Sequence, residues 1–111
     1  MSLSMTADNR ESVLSLILGG QLTRVDTIPF KEWAVGQIDE HGAGRVEVDC
    51  SDLTYLDSAG LGSLIFLRKV VGERGGAMVL TRVGGWLRKF LQVTGLEQAL
   101  TVPNPVAEKQ G

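Results

Sequence analysis

Hydrophobic and polar positions along the chain follow two different periods, which predicts strands and helices in turn. An apolar run at residues 12–18 ends at a pair of glycines and predicts a buried strand. Residues 45–50 alternate apolar and polar side chains with a period of two, and residues 53–56 continue in extended form. A third apolar run, residues 77–82, predicts another strand. Because a helical pattern separates each pair of strands, we expect parallel crossovers and an α/β layer.

Apolar residues recur at helical spacing in the segments between these strands. The first helix is predicted to begin with Thr27 as its N-cap and Pro29 in its first turn, and to end near Gly42. The second is predicted to begin at the Asp57-Ser58 pair and to end near Arg74. Both carry narrow apolar stripes, which fits helices that pack against one face of a sheet.

The chain after the third strand predicts one more helix and a short edge strand. The helix is expected to begin at residues 84–85 and to end at Gly95. Trp86 lies on its apolar face, as Trp33 does in the first helix, so both indoles are predicted to belong to the core. Residues 99–102 form a short apolar stretch that could pair at the edge of the sheet.

Composition and charge narrow the possible function classes. A length of 111 residues with 43% hydrophobic and 22% charged residues predicts one folded domain. A net charge of −2 gives no basic surface for nucleic acid. No apolar run reaches the ~18 residues that cross a bilayer, and no secretory signal is evident, so we expect a cytoplasmic protein without membrane insertion. The single cysteine, Cys50, lies on the apolar alternation and is predicted to be a core residue.

Candidate catalytic groups are few. His41 is the only histidine and lies at a predicted helix end, where a solvated or capping role is expected. No cysteine and histidine cluster has metal-ligand spacing, and no glycine-rich stretch completes a nucleotide-binding motif. The sequence therefore predicts a protein that is not an enzyme, with no catalytic residue, no metal and no cofactor.

The change of period at Asp57-Ser58 marks the stretch with the most chemistry. With Ser58 as N-cap, its side-chain oxygen would accept a hydrogen bond from the amide of Gly60 or Leu61. Gly60 and Gly62 carry no side chains, so the first helical turn is expected to stay open to an anion or a protein partner. Spacing alone leaves two interpretations of Ser58, a structural cap and a modifiable hydroxyl.

Residues 52–62, Asp-Leu-Thr-Tyr-Leu-Asp-Ser-Ala-Gly-Leu-Gly, resemble the signature of the STAS domain of bacterial anti-sigma factor antagonists. Residues 11–14 resemble the first strand of that domain, and residues 76–96 resemble its fourth strand and third helix. The resemblance implies a single STAS-like α/β domain at residues 5–105, with a mixed four- to five-stranded sheet and helices on one face. Residues 1–4 are expected to be a leader that is not native, and residues 106–111 a frayed tail.

The resemblance also implies a function. Ser58 occupies the phosphorylation site of the family. The unphosphorylated protein would bind an anti-sigma serine kinase and free a sigma factor, phosphorylation would end that binding, and a serine phosphatase would restore it. The implied partner-binding residues form the first turn of the helix: Asp57, Ser58, Ala59, Gly60, Leu61 and Gly62.

Two other functions stay open beside this one. A stand-alone STAS subunit could bind the ATPase of a lipid-transporting ABC transporter without phosphorylation, and a small hydrolase could use Ser58 as its nucleophile, although no base accompanies it. Residues 20–24 stand where similar sporulation antagonists carry an acidic stretch, and Ala59 replaces a hydroxyl that often follows the phosphorylated serine. The resemblance therefore does not identify the partner.

Overall fold

The computed structural model describes residues 3–42 and 44–101 of the chain. Its elements follow in the order β1 (Leu3–Arg10), β2 (Val13–Leu22), a 3-10 turn (Arg24–Asp26), α1 (Thr27–His41), β3 (Arg45–Leu56), α2 (Ser58–Glu73), β4 (Ala77–Thr81), α3 (Gly85–Thr94) and α4 (Glu97–Thr101). The predicted tail at residues 106–111, with Val102 and the prolines before it, lies outside the described residues.

The four strands form one mixed sheet in the order β1-β2-β3-β4. β1 runs antiparallel to β2, whereas β2, β3 and β4 are parallel to one another. Residues in register across the three parallel strands point to one buried face: Leu14, Val46 and Met78 in one row, and Leu16, Val48 and Leu80 in the next. Ser15 and Glu47, which alternate with them, are only partly buried. The predicted α/β class, with a mixed sheet and helices on one face, is confirmed.

The first strand, β1, is absent from the sequence predictions. Residues 1–4 are predicted to be a leader, yet β1 begins at Leu3, and Leu3 and Met5 pack against the core. The hairpin to β2 turns at Glu11 and Ser12, whose φ angles of 50° and 70° suit a tight two-residue turn. Neither turn residue is the glycine or asparagine that usually signals such a turn, and Asp8 and Asn9 weaken the strand pattern. The expectation that residues 1–4 are not native stays a prediction.

Strand β3 is longer than simple alternation suggests because it contains two extra residues. Its register with β2 shifts once at residues 17–19 and again at residues 20–21, and each shift inserts one residue into β3. The inward positions after Val48 are therefore spaced first by two and then by three residues: Cys50, Leu53 and Leu56. Tyr55, beside the last of them, is turned outward and is 50% exposed.

The helices match the predicted segments, with two corrections at their ends. α1 begins one residue earlier than predicted, since Asp26 rather than Thr27 is its N-cap, and it buries Phe30, Ala34 and Ile38. Residues 99–101 belong to the short helix α4 rather than to an edge strand, and Leu100 is fully buried. A four-residue apolar stretch does not distinguish the two structures, and here Glu97 begins a helical turn directly after α3.

Candidate functional site

Asp57 connects three segments at the carboxyl end of β3. Its Oδ1 accepts a hydrogen bond of 2.7 Å from the amide of Gly60 in the first turn of α2. Its Oδ2 accepts a second bond, of 3.0 Å, from the amide of Arg24 in the 3-10 turn. The Asp57 amide itself donates to the carbonyl of Leu22, at the end of β2. One aspartate thus caps α2 and fixes the 3-10 turn beside it.

Ser58 is the first residue of α2 and not its N-cap. The cap is Asp57, whose extended backbone (φ −99°, ψ −179°) aims the carboxylate back at the helix start. The prediction that a first-turn amide donates to the Ser58 side chain is therefore wrong, because the Gly60 amide donates to Asp57 instead. The Ser58 side chain is exposed, and its hydroxyl makes no hydrogen bond with any residue that the structure describes. The hydroxyl is therefore free for chemistry, since the structural role belongs to its neighbour.

The six residues predicted to bind a partner do not share one surface. Ser58 and Gly62 are exposed, Ala59 and Asp57 are half-buried, and Leu61 is buried. Only Ser58 and Gly62 of this turn are thus fully available to a second protein.

Gly60 has a different role from the one predicted. It is buried against the end of β2, and a Cβ built on it would overlap the Leu22 carbonyl oxygen and lie 2.9 Å from Leu56 Cδ1. Its missing side chain lets α2 pack on the sheet and does not keep the helix surface open. A Cβ built on Gly62 meets nothing within 4 Å.

A groove of about 680 Å³ opens beside Ser58, between the start of α2 and α3. We call it the Ser58 groove; its lining includes Tyr55, Leu61, Trp86, Lys89, Phe90 and Val93. Trp86 is 41% exposed at this groove, so the prediction that it belongs to the core is wrong, whereas Trp33 packs against the core. The reason is that α3 buries Leu87 and Leu91, which leaves the residues one position earlier on a second apolar stripe.

A second exposed apolar surface lies in the 3-10 turn and the start of α1. Val25 is 73% exposed and Ile28 is 66% exposed, and both follow Arg24, whose amide is bound by Asp57. We call this pair the Val25-Ile28 patch. Sequence reasoning missed the patch and the groove, although each had a signal. Val25 is an apolar residue of the 3-10 turn and Ile28 falls outside the buried stripe of α1, while α3 has more apolar residues than one buried stripe requires.

Other reactive groups of the chain are poorly placed for catalysis. The buried Cys50 thiol has a pKa raised to about 12, first by desolvation and then by the nearby Asp49 carboxylate, so it stays protonated. His41 is exposed at the end of α1, where its Nδ1 lies 3.2 Å from Asn9 Nδ2. Within residues 3–42 and 44–101, no three acidic, histidine or cysteine side chains come together in a way that could hold a metal ion. The helices of the same residues include none that is long and apolar enough to span a bilayer.

Comparisons with known proteins agree with this architecture. A sequence model described as "Mlab, STAS domain" matches residues 5–103. An anti-sigma-B factor antagonist of Staphylococcus aureus is 22% identical over 102 residues, which cover 92% of this chain and 94% of the relative. Its name denotes a regulator rather than an enzyme, in agreement with the prediction that the chain does not catalyse a reaction.

Solved structures share the fold at low sequence identity. A protein from Thermotoga maritima, described as a candidate anti-sigma factor antagonist, superposes with a TM-score of 0.79 at 19% identity, over 96% of this chain and 91% of that one. The Bacillus cell fate determinant SpoIIAA, in its phosphorylated form, gives a TM-score of 0.68 at 16% identity, over 88% and 89%. Since the family match spans nearly the whole sequence and the fold agrees, the chain belongs to the STAS domain family.

Proposed function

We propose that this protein is an anti-sigma factor antagonist whose binding to its partner is controlled by phosphorylation of Ser58. The observation that supports the proposal most is the Ser58 hydroxyl, which is exposed, makes no hydrogen bond with the described residues and lies in the lining of a largely apolar groove. The Val25-Ile28 patch is a second exposed apolar surface, and the bond from the Arg24 amide to Asp57 links its turn to the start of α2. The name of the Staphylococcus aureus relative supplies the class of partner.

The proposed modification transfers the γ-phosphoryl group of ATP to Ser58. A bond forms between Ser58 Oγ and the γ-phosphorus, the bond from that phosphorus to the bridging oxygen breaks, and ADP leaves. The hydroxyl proton passes to a base of the kinase. Because Asp57 already holds the start of α2, the serine is not needed as a cap, and the reaction removes no hydrogen bond from the described fold.

The added phosphate would act on binding through charge and hydration. It carries about −1.5 to −2 charges at neutral pH and would stand at the edge of the apolar Ser58 groove that a partner must cover. Burying it there requires desolvation, and any partner carboxylate opposite it is repelled. Such like-charge contacts cost several kcal/mol, enough for a large loss of affinity.

The proposed partners are an anti-sigma serine kinase, which binds and modifies the unphosphorylated protein, and a serine phosphatase that reverses the reaction. Control of a sigma factor places the protein in the cytoplasm. Nothing in this function requires a cofactor, and the acidic net charge of −2 fits a protein that does not contact nucleic acid itself.

Incubation with the anti-sigma kinase of the same organism and ATP tests the modification. Peptide mass spectrometry is expected to find phosphate on Ser58 alone, and Ser58→Ala is expected to abolish it. Ser51→Ala is the matched control, because Ser51 is also exposed but lies within β3. Phosphate on another residue, or none, would refute the proposed site.

The transporter alternative requires a separate experiment, because membership of the STAS domain family does not by itself imply control of a sigma factor. Affinity purification on a tagged form of the chain would recover a kinase-like ATPase if the proposal holds, and the untagged chain would compete for it. Recovery of an ABC transporter ATPase, bound equally well by Ser58→Ala and Ser58→Glu, would instead support a structural role for the domain.

A further inference from the structure

A single lysine stands in the apolar stripe that α3 turns toward Ser58. Trp86, Lys89, Phe90 and Val93 are spaced by three, one and three residues, so they share one side of the helix and line the Ser58 groove. Leu87 and Leu91 on the buried side hold α3 against the core. The position of Lys89 on this groove is therefore set by packing, while its long side chain remains mobile enough to reach across.

The charge of Lys89 is not used by the described fold. Arg88, its neighbour, pairs with Glu97, and four other arginines pair with aspartate or glutamate side chains. Within the part of the chain that the structure describes, no such pair includes Lys89. The residue is exposed, and the one acidic side chain beside it in the groove lining is that of Asp57.

The Asp57 carboxylate is already committed, since each of its oxygens accepts a bond from a backbone amide. A phosphoryl group on Ser58 would be repelled by this carboxylate and attracted by a cation on the opposite wall. Arg24 of the 3-10 turn, whose backbone amide is bound by Asp57, does not line the groove. Asp26 of the same turn is occupied by the amide and hydroxyl of Thr23.

We propose that Lys89 is the counter-ion of phosphorylated Ser58, so that modification joins the start of α2 to α3 by a charge-assisted contact across the Ser58 groove. This inference rests on the proposed phosphorylation of Ser58. It adds a second effect to the switch, because a lysine that is free to meet an acidic group of the partner in the unmodified protein is neutralised in the modified one.

The test uses the full chain with phosphoserine installed at position 58 during translation, so it does not depend on any kinase. Phosphorus NMR follows the titration of the phosphate between pH 4 and pH 8. A nearby cation favours the doubly charged form, so Lys89→Met is expected to raise the titration midpoint by about half a pH unit at low salt. Added salt is expected to shrink this difference.

Two variants with the same change in net charge serve as controls. Arg88→Met removes an adjacent charge that Glu97 already neutralises, and Arg24→Met removes the cation outside the groove; each is expected to move the midpoint by less than half as much. Equal midpoints for Lys89→Met and the parent, or a larger shift in either control, would overturn the inference. Absence of kinase modification would refute the proposed function and leave this measurement unaffected.

Discussion

Asp57 and Ser58 are neighbours in the chain, yet their side chains have different surroundings. The carboxylate of Asp57 is bound by the amides of Gly60 and Arg24, while the hydroxyl of Ser58 projects from the helix into solvent. A cap that also served as the modification site would lose its hydrogen bond on phosphorylation. Under the proposed phosphorylation of Ser58, the charge at this point would change while the helix start is preserved.

The close approach of Gly60 to Leu22 predicts a large difference between two glycines of the same helix. Gly60→Ala is expected to lower the free energy of unfolding by about 1–3 kcal/mol, because its Cβ would force the first turn of α2 off the sheet. Gly62→Ala, with open space around it, is expected to raise that free energy by up to about 1 kcal/mol through helix propensity. Urea unfolding measures both, and equal effects would contradict the proposed packing role of Gly60.

The buried thiol of Cys50 predicts a loss of stability in alkali. Its pKa is about 12 in the folded protein against an ordinary 9.0, so the unfolded chain loses the proton first as the pH rises. The contribution of the protonated thiol to the free energy of unfolding is present below pH 9. It declines above pH 9, by about 1 kcal/mol at pH 10. Urea unfolding at pH 8 and pH 10 should show this extra decline in the parent and not in Cys50→Ala. Equal declines in the parent and in Cys50→Ala would show that ionisation of the thiol does not contribute to the loss of stability.

At the residue level, the sequence correctly indicated the start of α2 as the stretch with the most chemistry. It assigned the wrong structural roles to Ser58 and Gly60. Asp57 and Ser58 are both good N-cap residues, and their order alone does not say which has the extended backbone. Gly60 was interpreted as an open position because its contact is with Leu22, 38 residues earlier in the chain. A clash between segments so far apart in sequence cannot be derived from local spacing.

Among the elements, α3 both packs against the core and lines the Ser58 groove. Leu87 and Leu91 face the core, whereas Trp86, Phe90 and Val93 line the Ser58 groove. Leu87→Ala is therefore expected to cost about 2–5 kcal/mol of unfolding free energy, through lost burial and a cavity. Trp86→Ala, which removes a larger side chain, is expected to cost less than about 1 kcal/mol because the indole is already 41% exposed. A larger cost for Trp86→Ala would place the indole in the core after all.

The junction between the 3-10 turn and α2 depends on both oxygens of Asp57. Asp57→Ala is expected to lower the unfolding free energy by about 1–2 kcal/mol, since a cap and a second hydrogen bond are lost together. Asp57→Asn retains one acceptor and is expected to lose less than half as much. Hydrogen exchange at the Arg24 amide provides a local measurement. Exchange that is unchanged in Asp57→Ala would show that the bond does not hold the turn.

The elements that could be predicted are those with strong local patterns. β2, β4 and the three longer helices have clear periods and clear ends, and they lie within a few residues of the predicted positions. β1 could not be predicted because its alternation includes Asp8 and Asn9, and because its pairing with β2 is evident only in the folded sheet. The exposed apolar stripe of α3 could be predicted only by deciding which of two stripes faces the core, and that depends on the packed structure.

For the whole molecule, the parallel strands bring the ends of β2 and β3 to one edge of the sheet. The 3-10 turn follows β2 and α2 follows β3, so Asp57 and Arg24 meet there although 33 residues separate them. The core lies beneath this edge, between the sheet and the helices, and Ser58 lies outside it. Modification of Ser58 is therefore expected to change the surface charge while the described fold stays the same.

Calorimetric titration of the anti-sigma kinase with three forms of the protein tests the central claim most directly. The forms are the unmodified chain, the chain with phosphoserine at position 58, and a control with phosphoserine at the exposed position 51, which carries the same added charge. We expect phosphoserine at position 58 to weaken binding by about 100-fold or more, and the control to bind within about threefold of the unmodified chain. Equal affinities for the unmodified form and the form phosphorylated at position 58 would contradict the account.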